Sequence, residues 1–204
     1  MRVFHGSYTK IDNNKKIIVM KNKVKKSVCP LFMAGVLDSK FRKLFHNPRK
    51  ILKPYIKKES VALDLGCGPG LFSIEIAKLL EGTGKVISVE MQEGMLEIIR
   101  KKIKGTPLEN NIVLHKCSSE KIDVKENVDF VLMFYMVHEV PSKENLFDEV
   151  LPLINKNGLL MIVEPKLISE KTFNMMTNSI MEKGFEEVDK LKIPLSRGVV
   201  LKKL

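Results

Sequence analysis

The chain has no tryptophan and only three cysteines, Cys29, Cys67 and Cys117, in 204 residues. The cysteines are far apart, odd in number and free of any C-x-x-C spacing, which argues against a disulfide framework or a structural zinc site. No apolar run approaches the ~20 residues needed to cross a bilayer, so no membrane span is expected. The first residues, Met1–His5, show no signal-peptide core, and the expected location is cytoplasmic. Acidic residues are scarce in one region: residues 1–58 hold 16 Lys/Arg against 2 Asp/Glu, whereas 59–204 hold 19 against 22. That basic stretch can meet nucleic acid or another anionic surface. It is mostly lysine and has no aromatic residue between Lys10 and Lys26, which fits a solvated arm at least as well, since stacking on bases requires aromatic rings.

What is present fits one globular domain. At 44% hydrophobic and 29% charged, the composition excludes a disordered chain, and the length suffices for a buried core. Residues 1–28 are polar and basic. From Pro30 the apolar spacing turns helical through Leu31, Phe32, Val36, Leu37, Phe41, Leu44 and Phe45. The dipeptide Asn47-Pro48 breaks it and opens a helix expected over Arg49 to Ile56. This divides the chain into a basic arm with a helical lid, 1–47, and a main domain, 48–204.

In the main domain strand-like and helix-like segments alternate. Strands are expected at Val61–Leu65, Lys85–Glu90, Ile112–Cys117, Val128–Met136 and Leu159–Val163. Helices are expected at Leu71–Leu80, Met91–Ile103, from the Ser142 cap to about Ile154, and from the Ser169 cap to about Lys183. Two final strands, Glu186–Ile193 and Val199–Leu204, are separated only by the expected turn Ser196-Arg197-Gly198 and must pair as an antiparallel hairpin. The pattern predicts an α/β fold, a mostly parallel sheet with helices on both faces.

The informative stretch is Asp64-Leu65-Gly66-Cys67-Gly68-Pro69-Gly70, between a strand and a helix. Glycine lets the backbone turn tightly and approach a ligand, and ligands of open α/β sheets lie beyond the carboxyl ends of the strands. A dinucleotide site is the obvious rival, but its spacing is G-x-G-x-x-G, and here it is G-x-G-x-G with an acid two residues before it.

D-L-G-C-G-P-G resembles the first motif of class I S-adenosylmethionine-dependent methyltransferases, in a form common among small-molecule and quinone-type members. The resemblance covers about residues 48–204. It implies a three-layer Rossmann-like fold with seven strands, S-adenosylmethionine as cofactor, and methyl transfer as the reaction. It also implies that Asp64, Gly66, Cys67, Gly68 and Gly70 belong to the cofactor site. Glu90, ending the second strand, falls where the family binds the ribose hydroxyls, and Met91 where a residue packs on adenine. Cys117-Ser118-Ser119-Glu120 is similar to a segment reaching the adenine edge, with the family's usual acid replaced by Ser118; Ser119 offers its backbone N–H. Phe134 and the following Tyr135-Met136-Val137-His138-Glu139 form the second half of the site. The N/D-P-P-Y/F motif of adenine and glutamine methylases is absent, as is a Pro-Cys nucleophile.

His138 is the candidate general base, because an imidazole titrates near neutral pH, and Glu139 is the candidate to orient it or to bind a cationic substrate. The alternative for His138 is to shape the pocket without transferring protons, since many methyl acceptors need no base. Three functions follow: methyl transfer to a small molecule, methyl transfer to RNA or another macromolecule recruited by the basic arm, or cofactor binding without catalysis. No metal is implied, and neither the acceptor nor the oligomeric state is readable.

Overall fold

The computed structural model describes residues 47–204. The basic arm, the helical stretch from Pro30 and Cys29 therefore lie outside the described residues. The first helix, α1 (Pro48–Leu52), starts where Asn47 Oδ1 accepts the Lys50 N–H at 3.1 Å. It is shorter than expected because Pro54 has no N–H to donate to the Lys50 carbonyl, so the helical ladder breaks there although Lys53 still holds helical dihedrals.

The strands are β1 (Val61–Leu65), β2 (Lys85–Glu90), β3 (Ile112–Lys116), β4 (Val128–Phe134), β5 (Ile154–Pro165), β6 (Phe185–Leu191) and β7 (Ser196–Lys203). Between them run α2 (Leu71–Leu79), α3 (Glu93–Ile103), α4 (Lys143–Val150) and α5 (Glu170–Met181). They form one seven-stranded sheet in the order β3-β2-β1-β4-β5-β7-β6. All pairs from β3 to β5 are parallel, and β7 runs antiparallel to both β5 and β6. The expected α/β three-layer architecture and C-terminal hairpin are present.

Side-chain alternation along each strand assigns the two faces. Ala62, Val86, Phe130, Leu132 and Val163 pack under Phe72, Ile76, Leu96 and Ile99 of α2 and α3. Their neighbours Leu63, Val89, Val131, Met133 and Ile162 pack under Leu146, Phe147, Phe173 and Ile180 of α4 and α5. The strands therefore read as continuous apolar runs because both faces are covered.

Further boundaries differ from expectation; β3 and β4 end at Lys116 and Phe134, short of the expected Cys117 and Met136. Ser196, Arg197 and Gly198 do not make the last turn; they pair with Pro165, Glu164 and Val163 inside the sheet. The chain reverses over residues 192–195 instead, with Leu195 at φ 57°. Gly198 is needed for close approach, since a Cβ there would stand 2.9 Å from Leu191 Cβ. The fifth strand begins at Ile154, and Asn157-Gly158 lies within it as a bulge: the partners of Val128 and Phe130 are Ile154 and Leu159. Finally, α4 stops at Val150, followed by a tight turn over Leu151–Leu153 that carries Pro152, which has no N–H to continue the helix.

Candidate active site

The sheet order reverses beside β1, whose neighbours β2 and β4 carry connections to opposite faces, and the carboxyl ends of these strands form the expected ligand crevice. The loop after β1 is built on positive φ values at Gly66 (68°), Gly68 (52°) and Gly70 (85°). Its start is tied to β2 by the N–H groups of Gly66 and Cys67, which donate to Val89 O at 2.9 and 3.1 Å. A Cβ on Gly70 would come within 2.7 Å of Ile99 Cγ1, so the glycine lets α2 begin against α3. Nothing lies within 4 Å of a Cβ position on Gly68, which leaves that backbone open.

Glu90 is the organising carboxylate. It is only 8% exposed, yet Oε2 accepts the Gly68 N–H at 3.0 Å and Oε1 accepts the N–H groups of Met91 (2.8 Å) and Gln92 (2.9 Å). One side chain thus joins the glycine loop to the start of α3. A carboxylate offers about four lone-pair sites, so a further donor can be accepted.

A cavity of about 410 Å³ opens beside this carboxylate. Gly66, Glu90, Met91, Ser118, Ser119 and Glu139 all line it. Much of the remaining wall is apolar, from Leu65, Val89, Met136, Val140, Pro141 and Leu146. Its size falls in the range of ordinary ligand pockets. Burial raises the Glu139 carboxyl above its ordinary range; the charge of His138 opposes this, and those of Glu90 and Glu164 add to it.

Not every expected residue reaches the cavity wall. Asp64 is buried beneath the loop, where Oδ2 accepts the Ser73 hydroxyl at 2.6 Å and so braces the first turn of α2. Cys67 is buried in the α2–α3 face of the core. Phe134 points to that face too, its ring stacked on Phe72 at 4.3 Å between centroids. Ser118 lines the cavity, but its hydroxyl accepts the Lys121 N–H at 2.9 Å and the Glu120 N–H at 3.3 Å, and donates to Lys121 O. Its side chain folds the loop.

The structure also brings a further carboxylate, Glu164, to this end of the sheet. After β4, Tyr135 takes φ 59° and turns the chain over the glycine loop. This places the Val137 N–H 3.0 Å from Glu164 Oε1 and His138 Nδ1 2.5 Å from Glu164 Oε2. Glu164 ends β5 and is 1% exposed. Glu139 Oε1 is 4.0 Å from His138 Nε2, on the other side of the ring. Glu164, not Glu139, is therefore the hydrogen-bond partner that orients the imidazole.

Among the described residues no group of three His, Cys, Asp or Glu side chains is placed to hold a metal ion, and no helix is long and apolar enough to cross a membrane.

Comparison with known proteins agrees with this geometry. A family model described as a methyltransferase domain matches residues 56–195. The chain is 28% identical over 137 residues to the demethylmenaquinone methyltransferase of Lactobacillus johnsonii, covering 67% of this chain and 53% of that one. It is 26% identical over 147 residues to the probable cobalt-precorrin-6B C(15)-methyltransferase of Saccharolobus solfataricus, 72% of each. The chain spans about half the length of the first of these relatives. In structure it is similar to an S-adenosylmethionine-dependent methyltransferase from Aquifex aeolicus, with a TM-score of 0.75, 22% identity, and coverage of 86% of this chain and 99% of that one.

Proposed function

Because the chain belongs to the class I S-adenosylmethionine-dependent methyltransferase family, we propose that it transfers the donor's methyl group to a small, largely apolar acceptor. The observation that carries this reading is Glu90, which lines the cavity while its carboxylate holds the open Gly68 backbone. The residues fit the cofactor. Glu90 keeps acceptor capacity for one ribose hydroxyl, Gly68 leaves its backbone open beside that carboxylate, and Met91 with the loop carrying Ser118 and Ser119 offers a wall for the adenine. Glu90, Glu139 and Glu149 give that cavity a negative bias suited to a cationic ligand.

When bound, S-adenosylmethionine supplies an activated methyl group on a positively charged sulfur. The chain's own contribution is to align the acceptor and exclude water, and alignment alone supplies roughly 7–11 kcal/mol. His138 does not line the cavity itself but stands beside Glu139, which does, and from there it would serve acceptors whose attacking atom carries a proton. Glu164 accepts from Nδ1–H and so leaves Nε2 as the basic nitrogen. The proton would pass from the acceptor to Nε2, and Glu164 would stabilise the resulting imidazolium.

The names of the relatives point to aromatic, quinone-like or tetrapyrrole-like acceptors, and the apolar residues of the cavity suit such molecules. The test is formation of S-adenosylhomocysteine from S-adenosylmethionine with reduced quinones, a small-molecule extract and total RNA as separate acceptor pools. Turnover with quinones or extract supports the reading. Turnover confined to RNA would transfer the function to a macromolecular acceptor, and none with any pool would favour a binding module.

A further inference from the structure

The loop over residues 117–123 forms one wall of the cavity, and a carboxylate of α4 that also lines the cavity grips it. Glu149, in the last turn of α4, accepts the Ile122 N–H at 3.0 Å on both Oε1 and Oε2, and the Asp123 N–H at 2.6 Å on Oε1. Asp123 sits at φ 58°, so two successive N–H groups converge on one carboxylate. On the other side the Ile122 carbonyl accepts from His115 Nε2 at 2.8 Å. Both backbone polar groups of Ile122 are thus held, one by α4 and one by β3.

The location of Glu149 carries a cost. A carboxylate in the last turn of a helix faces the negative end of its dipole; α4 has no basic residue of its own in that turn, and the nearby Lys203 ammonium is spent on the carbonyls of Leu151, Pro152 and Ile154. The two loop amides are the direct partners of the carboxylate, and charge-assisted hydrogen bonds of this kind are strong. Glu149 also lines the cavity itself.

We propose that Glu149 is a positioning residue for cofactor binding: it clamps the 117–123 loop to α4 and so sets the distance between the Ser118-Ser119 wall and the Glu90 carboxylate. This rests on the reading of the cavity as the donor site. It also accounts for a site that lacks the family's acid at position 118. Ser118 folds the loop from within its own turn and Glu149 fixes it from α4, so the wall is set before the ligand arrives.

The test compares wild type, Glu149→Ala and Glu149→Gln by calorimetric titration with S-adenosylhomocysteine and by amide hydrogen exchange. Glu149→Ala is expected to weaken binding about tenfold and to speed exchange at Ile122 and Asp123, with β1 and β4 amides unchanged. Glu149→Gln, which keeps one acceptor oxygen, is expected to fall between, and it carries the test should the alanine variant fail to fold. Equal affinity in all three proteins overturns the proposal, as does faster exchange throughout β1 and β4 in both variants. If wild type binds no S-adenosylhomocysteine, the donor-site reading falls and this proposal with it; if wild type binds and the variants bind equally, only the clamp falls.

Discussion

His138 Nδ1 lies 2.5 Å from Glu164 Oε2, and the other oxygen of the same buried carboxylate holds the Val137 N–H at 3.0 Å. One side chain thus fixes both the imidazole and the backbone that carries it. If His138 acts as a base, His138→Ala should lower kcat by about 100-fold, the low end of general-base effects, with the affinity for S-adenosylmethionine unchanged. Glu164→Gln should also lower kcat, because its amide can donate to Nδ1 and so favours the wrong tautomer. Steady-state kinetics with titration of the donor separates the effects. Wild-type turnover in His138→Ala would leave the histidine as a shape-giving residue only.

Glu139 makes stability depend on pH in a definite direction. Burial first, then the neighbouring Glu90 and Glu164 charges, raise its carboxyl, against a lowering by His138. Between the ordinary glutamate range and the raised value, the folded protein holds a proton that the unfolded chain has released. Stability therefore declines as pH rises through that window. Glu139→Gln should be less stable or equal at about pH 4 and should gain relative to wild type by about pH 7. Urea unfolding at a series of pH values reads the difference, and a parallel pair of curves would contradict it.

The glycines of the loop are not equivalent. Gly70→Ala combines positive φ with a 2.7 Å approach to Ile99, whereas Gly68→Ala meets only the positive φ. The first should cost about 2–4 kcal/mol and the second about 1 kcal/mol, measured by denaturant midpoint. Equal losses would mean that Ile99 yields freely.

Burial, with a smaller push from Glu90, raises the Cys117 thiol to about 11. Its thiolate is correspondingly scarce at neutral pH. Alkylation by iodoacetamide, followed by peptide mapping, should be about 100-fold slower at Cys117 than at a free thiol, and bound S-adenosylhomocysteine should slow it further because Cys117 lines the cavity. Fast modification unaffected by the ligand would contradict the assignment of that wall.

The local features were legible in the sequence. The strand, glycine loop and helix around Gly66, the strand-end acid Glu90 and the caps Ser142 and Ser169 depend on neighbours in the chain, and all stand where the pattern puts them. What was not legible depends on register. Glu164 meets His138 because β4 and β5 pair with Phe134 beside Val163. Glu149 meets Ile122 because α4 packs beside the loop, 27 residues away. Phe134 shows the same limit from the other side: its place at the end of β4 was plain, but the alternation of the strand turns its ring toward Phe72. The hairpin was foreseen, and its reversal point was misplaced because Gly198 serves close packing against Leu191 and not a turn.

The most direct test of the account is calorimetric titration of the purified protein with S-adenosylmethionine, S-adenosylhomocysteine and NAD. Saturable binding of the first two at one site per chain is expected, with no binding of NAD and with loss of affinity in Glu90→Ala. Binding of NAD alone, or binding of S-adenosylhomocysteine that Glu90→Ala leaves intact, would contradict the assignment of the glycine loop and its carboxylate as the donor site.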